Sequence, residues 1–128
     1  MSDSLEVVPT QWYESELMAL PGPAQTRVER KVNALRQKGW DLAVKDQTIK
    51  HLRDGIHELR VLGHGAAFRV LFFVVPGRSP RLVVLTACPA KSAMKKHSRM
   101  DAEIERAVLR RALWLEQQKK NKENDDGR

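Results

Sequence analysis

Residues 49–75, IKHLRDGIHELRVLGHGAAFRVLFFVV, decide the fold. Two strand-like runs flank the turn Gly63-His64-Gly65, and each carries an arginine among apolar neighbours: Arg60 between Leu59 and Val61, Arg69 between Phe68 and Val70. Side chains alternate faces along a strand, so Ile56, Glu58 and Arg60 share one face and Leu59 and Val61 the other. In the second run Phe68, Val70, Phe72 and Val74 fall on one face and Leu71 and Phe73 on the other, which predicts a central strand buried on both sides and interrupted by Arg69. If the hairpin register brings Arg60 near Arg69, two permanent cations meet on one sheet face. Their natural partner is an anion, although Glu58, two residues from Arg60, is an equally good one.

The surrounding sequence extends the hairpin into a meander. Strands are predicted at about 56–62, 67–75 and 81–88, the last two joined by Pro76-Gly77-Arg78-Ser79-Pro80. Leu5–Val8 predicts an N-terminal strand ended by Pro9, after which Thr10 caps a helix carrying Trp12, Leu17 and Leu20. A second helix fits Pro23–Lys38, with Ala24, Val28, Val32 and Leu35 as its apolar stripe and Gly39 as its stop. Residues 40–54 read as irregular, with Trp40 and Leu42 as core anchors. Ser98 and Asp101 resemble a capping box opening a last helix, whose stripe Ile104, Val108, Ala112 and Leu115 ends near Gln118. The expected fold class is therefore α+β: a small antiparallel sheet, made of the three-strand meander and an N-terminal strand, packed against two N-terminal helices and a C-terminal helix. Residues 1–118 are expected to form one domain, and 119–128, lacking apolar residues, a disordered charged tail.

Composition bounds the function. Among 128 residues, 23 Lys+Arg against 16 Asp+Glu give a formal charge of +7, which favours a polyanion, nucleic acid first and an acidic protein second. Cys88 stands alone, so an intrachain disulfide is excluded, and one thiol with scattered His51, His57, His64 and His97 lacks metal-ligand spacing. No metal or other cofactor is expected. The N-terminal segment lacks the basic and apolar regions of a signal peptide, and Val70–Val75 is too short to span a bilayer, so a soluble cytoplasmic protein is expected. Trp12, Trp40 and Trp114 read as core or helix-packing residues.

Lys50 precedes the hairpin, and Lys91 and Lys95 follow the third strand, so all three can flank the face bearing Arg60 and Arg69. Guanidinium forks donate paired hydrogen bonds to phosphate oxygens and stay charged at any relevant pH. A cationic groove of this kind can cleave RNA without metal, because the ribose 2′-hydroxyl is an internal nucleophile beside the scissile phosphate. The reaction needs a base for that hydroxyl, cations for the charge growing on phosphorus, and an acid for the leaving 5′-oxygen. A lysine can be the base only when its pKa falls well below about 10.4, the direction in which neighbouring cations push it. Arg27, Arg30, Lys31, Arg36 and Lys38 lie between the second helix's stripe and solvent, where charges are most often merely solvated.

The order of these segments is familiar. Ile49–Val61 (Ile-Lys-x-Leu-x-x-Gly-Ile-x-Glu-Leu-Arg-Val), Phe68–Phe73 (Phe-Arg-Val-Leu-Phe-Phe), Leu82–Lys95 and Glu103–Ala107 together resemble the phage-derived Gp49-like, HigB-type branch of the RelE toxin superfamily, over about residues 25–116. The resemblance implies a RelE-like fold and the toxin of a type II toxin–antitoxin pair. Such toxins enter the ribosomal A site and cut translated mRNA by the 2′-hydroxyl route, which inhibits translation and growth. By motif position, it implies that Arg60 and Arg69 clamp the scissile phosphate, that Lys50 and Lys91 transfer protons or bind phosphate, and that Lys95 supports them. The basic helix face of Arg27, Arg30 and Lys31 would meet ribosomal RNA, and Lys96 and His97 would join it in binding RNA or the ribosome. The implied partners are the ribosome, mRNA and a cognate antitoxin, a helix-turn-helix protein encoded next door. One segment departs from the pattern: family members carry a run like Gly-Phe-x-Lys-Lys-Thr after the last strand, where this chain has Ala87–Ser98 with no aromatic ring for base stacking. The alternative reading is a non-catalytic basic module of the same fold that binds nucleic acid or an antitoxin.

Overall fold

The structure, a computed structural model, describes residues 5–63, 66–89 and 97–126. Its elements are β1 (Leu5–Pro9), α1 (Gln11–Met18), α2 (Gly22–Lys38), α3 (Trp40–Lys45), β2 (Ile49–Arg53), β3 (Ile56–Gly63), β4 (Ala66–Val75), β5 (Arg81–Ala87) and α4 (His97–Asp126). The five strands form one sheet in the order β1-β5-β4-β3-β2. The meander β3-β4-β5 is antiparallel with β4 at its centre, as the apolar pattern predicts.

Two features correct the expected four-strand antiparallel sheet. The N-terminal strand runs parallel to β5, with Leu5 opposite Arg81 and Pro9 opposite Leu85, so the sheet is mixed. The stretch read as irregular, 40–54, holds the short helix α3 and a fifth strand, β2, antiparallel to β3. Asp54 and Gly55 join β2 to β3 at φ 54° and 76°, the pair of positive values that a two-residue type I′ hairpin requires. Charged residues in an edge strand disguise it as a loop.

Alternation sorts the sheet into two packed faces. Leu59, Val61, Val70, Phe72, Val83 and Leu85 meet Tyr13 and Leu17 of α1 and Val28, Val32 and Leu35 of α2. On the other face Ile56, Leu71, Phe73, Leu82 and Val84 meet Ile104 and Ala107 of α4. Thr10 caps α1 through its hydroxyl, which accepts from the Tyr13 N–H, and Gly39 at φ 87° ends α2. In α4 the expected stripe loses phase: Ala112 and Leu115 are exposed, while Trp114 turns inward to an edge-on contact with Phe73 at 5.7 Å. Successive steps of four residues advance a 3.6-residue helix by about 40° each, so a stripe at 104, 108 and 112 drifts off the buried face.

β1 stops opposite Leu85, leaving the last backbone groups of β5 without a strand beside them. Side chains from both layers take its place. Glu16 of α1 accepts from the Cys88 N–H at 2.8 Å, Arg110 of α4 donates to the Thr86 carbonyl at 2.9 Å, and the two side chains pair at 2.7 Å. Buried backbone groups need such partners, and here one ion pair supplies two of them.

α4 also continues to Asp126, through residues expected to be a disordered tail. From Leu115 to Lys122 its side chains are exposed, but Glu, Gln and Lys are good helix formers, and extending an existing helix needs no new nucleus. A chain ending at Gln118 is therefore expected to keep its unfolding free energy within ~0.5 kcal/mol in urea titration, while losing helical ellipticity. A larger loss of stability would show that the last turns pack on something.

Candidate functional site

Cross-strand register decides the site. Arg60 of β3 stands directly opposite Arg69 of β4, and Glu58 stands opposite Lys50 of β2 and Leu71 of β4. Directly opposed residues share a face, so Lys50, Glu58, Arg60 and Arg69 all project from one side of the sheet. Like charges placed opposite one another destabilise a sheet unless something lies between them. Here that group is the Glu58 carboxylate, its side chain 3% exposed.

The two arginines hold it differently. Arg69 places Nε 2.8 Å from Glu58 Oε2 and is 20% exposed. Its N–H is not aimed at the oxygen, so this contact is an ion pair without a hydrogen bond. Arg60 donates from Nη2 to Glu58 Oε1 at 3.4 Å and is 47% exposed. Arg69 is the anchored cation, and Arg60 is the one presented to solvent.

Two adjoining concavities meet at Arg60. One, of about 400 Å³, is lined by Lys50, His51, Glu58 and Arg60 with Val44 and Ile49. The other, of about 520 Å³, lies between α2 and β3 and is lined by Arg27, Arg30, Lys31, Thr48, Arg60 and Leu62. Positions 27, 30 and 31 share one side of α2 by helical spacing. β2 begins at Ile49, opposite Leu59, and beyond it only the Arg60 N–H reaches back, to the Thr48 carbonyl at 3.4 Å. That early end uncovers the β3 edge from Arg60 to Leu62.

Asp46 also lines the larger concavity, but Lys38 Nζ pairs with it at 2.6 Å and Thr48 donates to it from both backbone and hydroxyl. These hydrogen bonds, the lysine's foremost, lower its carboxyl to about 2. The carboxylate is thereby occupied. Burial, with Glu16 adding to it, raises the Cys88 thiol to about 12, so this cysteine is no nucleophile near neutrality. Among the described residues, no group of three or more His, Cys, Asp and Glu stands close enough to hold a metal ion.

The structure thus gathers six of the residues singled out in the sequence: Lys50, Arg60, Arg69, Arg27, Arg30 and Lys31. Lys91, Lys95 and Lys96 lie outside the described residues, as does the side chain of His97, whose backbone opens α4. β5 ends at Ala87 opposite Leu71, two residues along β4 from Arg69. Sequence reading paired Glu58 with Arg60 alone and missed its shorter contact with Arg69. Only the hairpin register carries that signal. His51, which in the sequence is only one of four scattered histidines, is exposed and lines the smaller concavity.

A family model described as "Phage derived protein Gp49-like (DUF891)" matches residues 15–112. The chain belongs to this Gp49-like family. The matched span runs from α1 into α4 and includes every residue of both concavities. The Gp49-like family is related to the toxins of toxin–antitoxin pairs, and the mixed five-stranded sheet between helices is compatible with a RelE-like fold. No curated protein and no solved structure matches the chain. No helix among the described residues is long and apolar enough to cross a membrane.

Glu58→Gln is expected to cost ~1–3 kcal/mol in urea unfolding, because it leaves Arg69 partly buried without its counter-ion. Arg60→Gln should cost less than ~1 kcal/mol, its pair being half in solvent. Equal losses would contradict the anchored and presented roles. A separate expectation concerns His57, which stacks on Phe72 and lies edge-on to Trp40 and His51. Burial first, then His51, holds it below its usual 6.5; Arg81 adds to this and the Gly55 backbone opposes it. The unfolded chain therefore takes up that proton at higher pH, so the stability is complete above about 6.5 and declines on acidification below it. His57→Phe should flatten that decline in urea midpoints measured between neutral and mildly acid pH.

Proposed function

We propose that this Gp49-like protein is the toxin of a type II toxin–antitoxin pair and a metal-independent endoribonuclease that cuts mRNA during translation. The observation carrying this reading is the register that sets Arg60 opposite Arg69, with Lys50 on the same face and in the same concavity as Arg60. An RNA phosphate entering there meets Arg60 first. The 3.4 Å contact to Glu58 is the weaker of the two and the easier to exchange for a phosphate oxygen. Arg69 stays on Glu58 and positions it.

In the proposed reaction the 2′-oxygen bonds to the adjacent phosphorus, its proton passes to a base, and the bond to the 5′-oxygen breaks as that oxygen takes a proton from an acid. The products are a 2′,3′-cyclic phosphate and a 5′-hydroxyl. Arg60 neutralises the charge that grows on the phosphorane oxygens. Lys50 is one proton-transfer candidate, and by motif position Lys91 is another with Lys95 in support, both outside the described residues. The ribosome supplies substrate orientation, so the isolated protein is slow on naked RNA. Its work is cytoplasmic, and the partners are mRNA, the ribosome and a cognate antitoxin.

The second reading, a non-catalytic binding module, draws on the same Glu58: guanidiniums neutralised by a carboxylate suit a scaffold as well as a clamp. Tightly controlled expression followed by mapping of mRNA 5′ ends separates the two. Growth arrest with cuts in translated frames is expected, reduced about 10²- to 10³-fold by Arg60→Ala and about 10²-fold or more by Lys50→Ala if it moves a proton. Wild-type protein that neither cuts nor arrests growth would establish the binding module. Undiminished cutting by a folded Arg60→Ala variant would remove Arg60 from the chemistry.

A further inference from the structure

The larger concavity carries cations that have no ion-pair partner among the described residues. Arg27, Arg30 and Lys31 form no ion pair or side-chain hydrogen bond among the described residues, and the one carboxylate of the lining, Asp46, is taken by Lys38 and Thr48. Three cations brought together on one wall repel one another, an arrangement that is relieved only when an anion enters. Arg27 and Lys31 are half-buried along the α2 wall rather than displayed on a convex surface. Opposite them lie the Arg60–Leu62 edge of β3 and the exposed side chain of Leu62.

We propose that this groove binds the substrate strand itself: it seats the phosphates of single-stranded RNA next to the phosphate engaged by Arg60. The inference rests on the reading of Arg60 as the residue facing the reacting phosphate, and it changes the role that sequence position implied for α2, contact with ribosomal RNA. Three observations carry it. Arg60 lines both concavities, so they adjoin at this residue on the edge of the sheet. The groove's volume of about 520 Å³ falls among clefts that take small ligands or a single strand, whereas a double helix is met across its outer surface. No aromatic ring lines it, so the strand is held by phosphates and guanidinium planes with little base preference.

The test measures binding of a short single-stranded RNA to the purified full chain across a range of salt. For single strands each neutralised phosphate contributes about −0.7 to the slope of log K against log salt. The variant Arg27→Gln/Arg30→Gln/Lys31→Gln is expected to bind more weakly and to lose about 2 from that slope, the loss of three contacts. A control with the same charge change, Lys119→Gln/Lys120→Gln/Lys122→Gln at the far end of α4, should keep the wild-type slope. Equal slopes for wild type and the α2 variant would overturn the proposal, as would an equal fall in the control. Tighter, α2-dependent binding of an acidic peptide than of RNA would overturn it in favour of a protein ligand. The two readings fail separately. RNA binding that depends on α2 in a protein that never cuts refutes the nuclease, and cutting with an unchanged α2 slope refutes the groove.

Discussion

The buried carboxylate of Glu58 is the constraint around which the rest of the site is arranged. The β3–β4 register sets two guanidiniums face to face, which without a counter-ion would push the central strands apart or shift their pairing by a residue. Such a shift would turn Leu59 and Val61 out of one core and Ile56 out of the other. Glu58 removes the conflict at the cost of its own desolvation, which the contacts from Arg69 and Arg60 offset. Site and fold therefore share one interaction, and the register that packs the sheet also aligns the cations.

The layers on either side of the sheet divide the remaining labour. α1 and α2 cover one face and α4 the other, and Glu16 and Arg110 bridge them where β1 no longer covers β5. At the opposite edge the cover is deliberately short. β2 holds five residues, and its early end leaves the last turns of β3 open to the basic side of α2. A β2 strand two residues longer at its start would pair with Arg60 and Val61 and narrow the larger groove.

What could be read from the sequence follows from how local each signal is. Alternation over Ile56–Val75 and the α2 stripe are local, and both strands, the helix and the facing arginines are where they were expected. β2 was missed because Lys50, His51 and Arg53 hide the alternation of an edge strand, although Asp54-Gly55 between two short runs is itself a hairpin signal. The parallel pairing of β1 with β5 is a contact across more than seventy residues and leaves no local trace. The helical stripe of α4 was read in steps of four, which holds for one step and then slides off the buried face. The Glu58 to Arg69 contact and the concavity shared by α2 and Arg60 join separate elements and become visible only once the strands are placed.

The two arginines, alike in sequence context, end up unlike in chemistry. Moving Arg69 away from Glu58 would strand a carboxylate that is almost wholly buried, so its position is fixed by the core as much as by the site. Arg60 holds Glu58 by a long contact with half of its own surface already in water, and if it leaves, Arg69 remains beside the carboxylate as its counter-charge. In the proposed reading an arriving phosphate would exchange one weak contact for a charge-assisted one, with Arg69 still paired to Glu58. The more exposed cation stands at the junction of both concavities and the less exposed one behind it, so in that reading a single side chain would meet the phosphate while the sheet beneath stays in register.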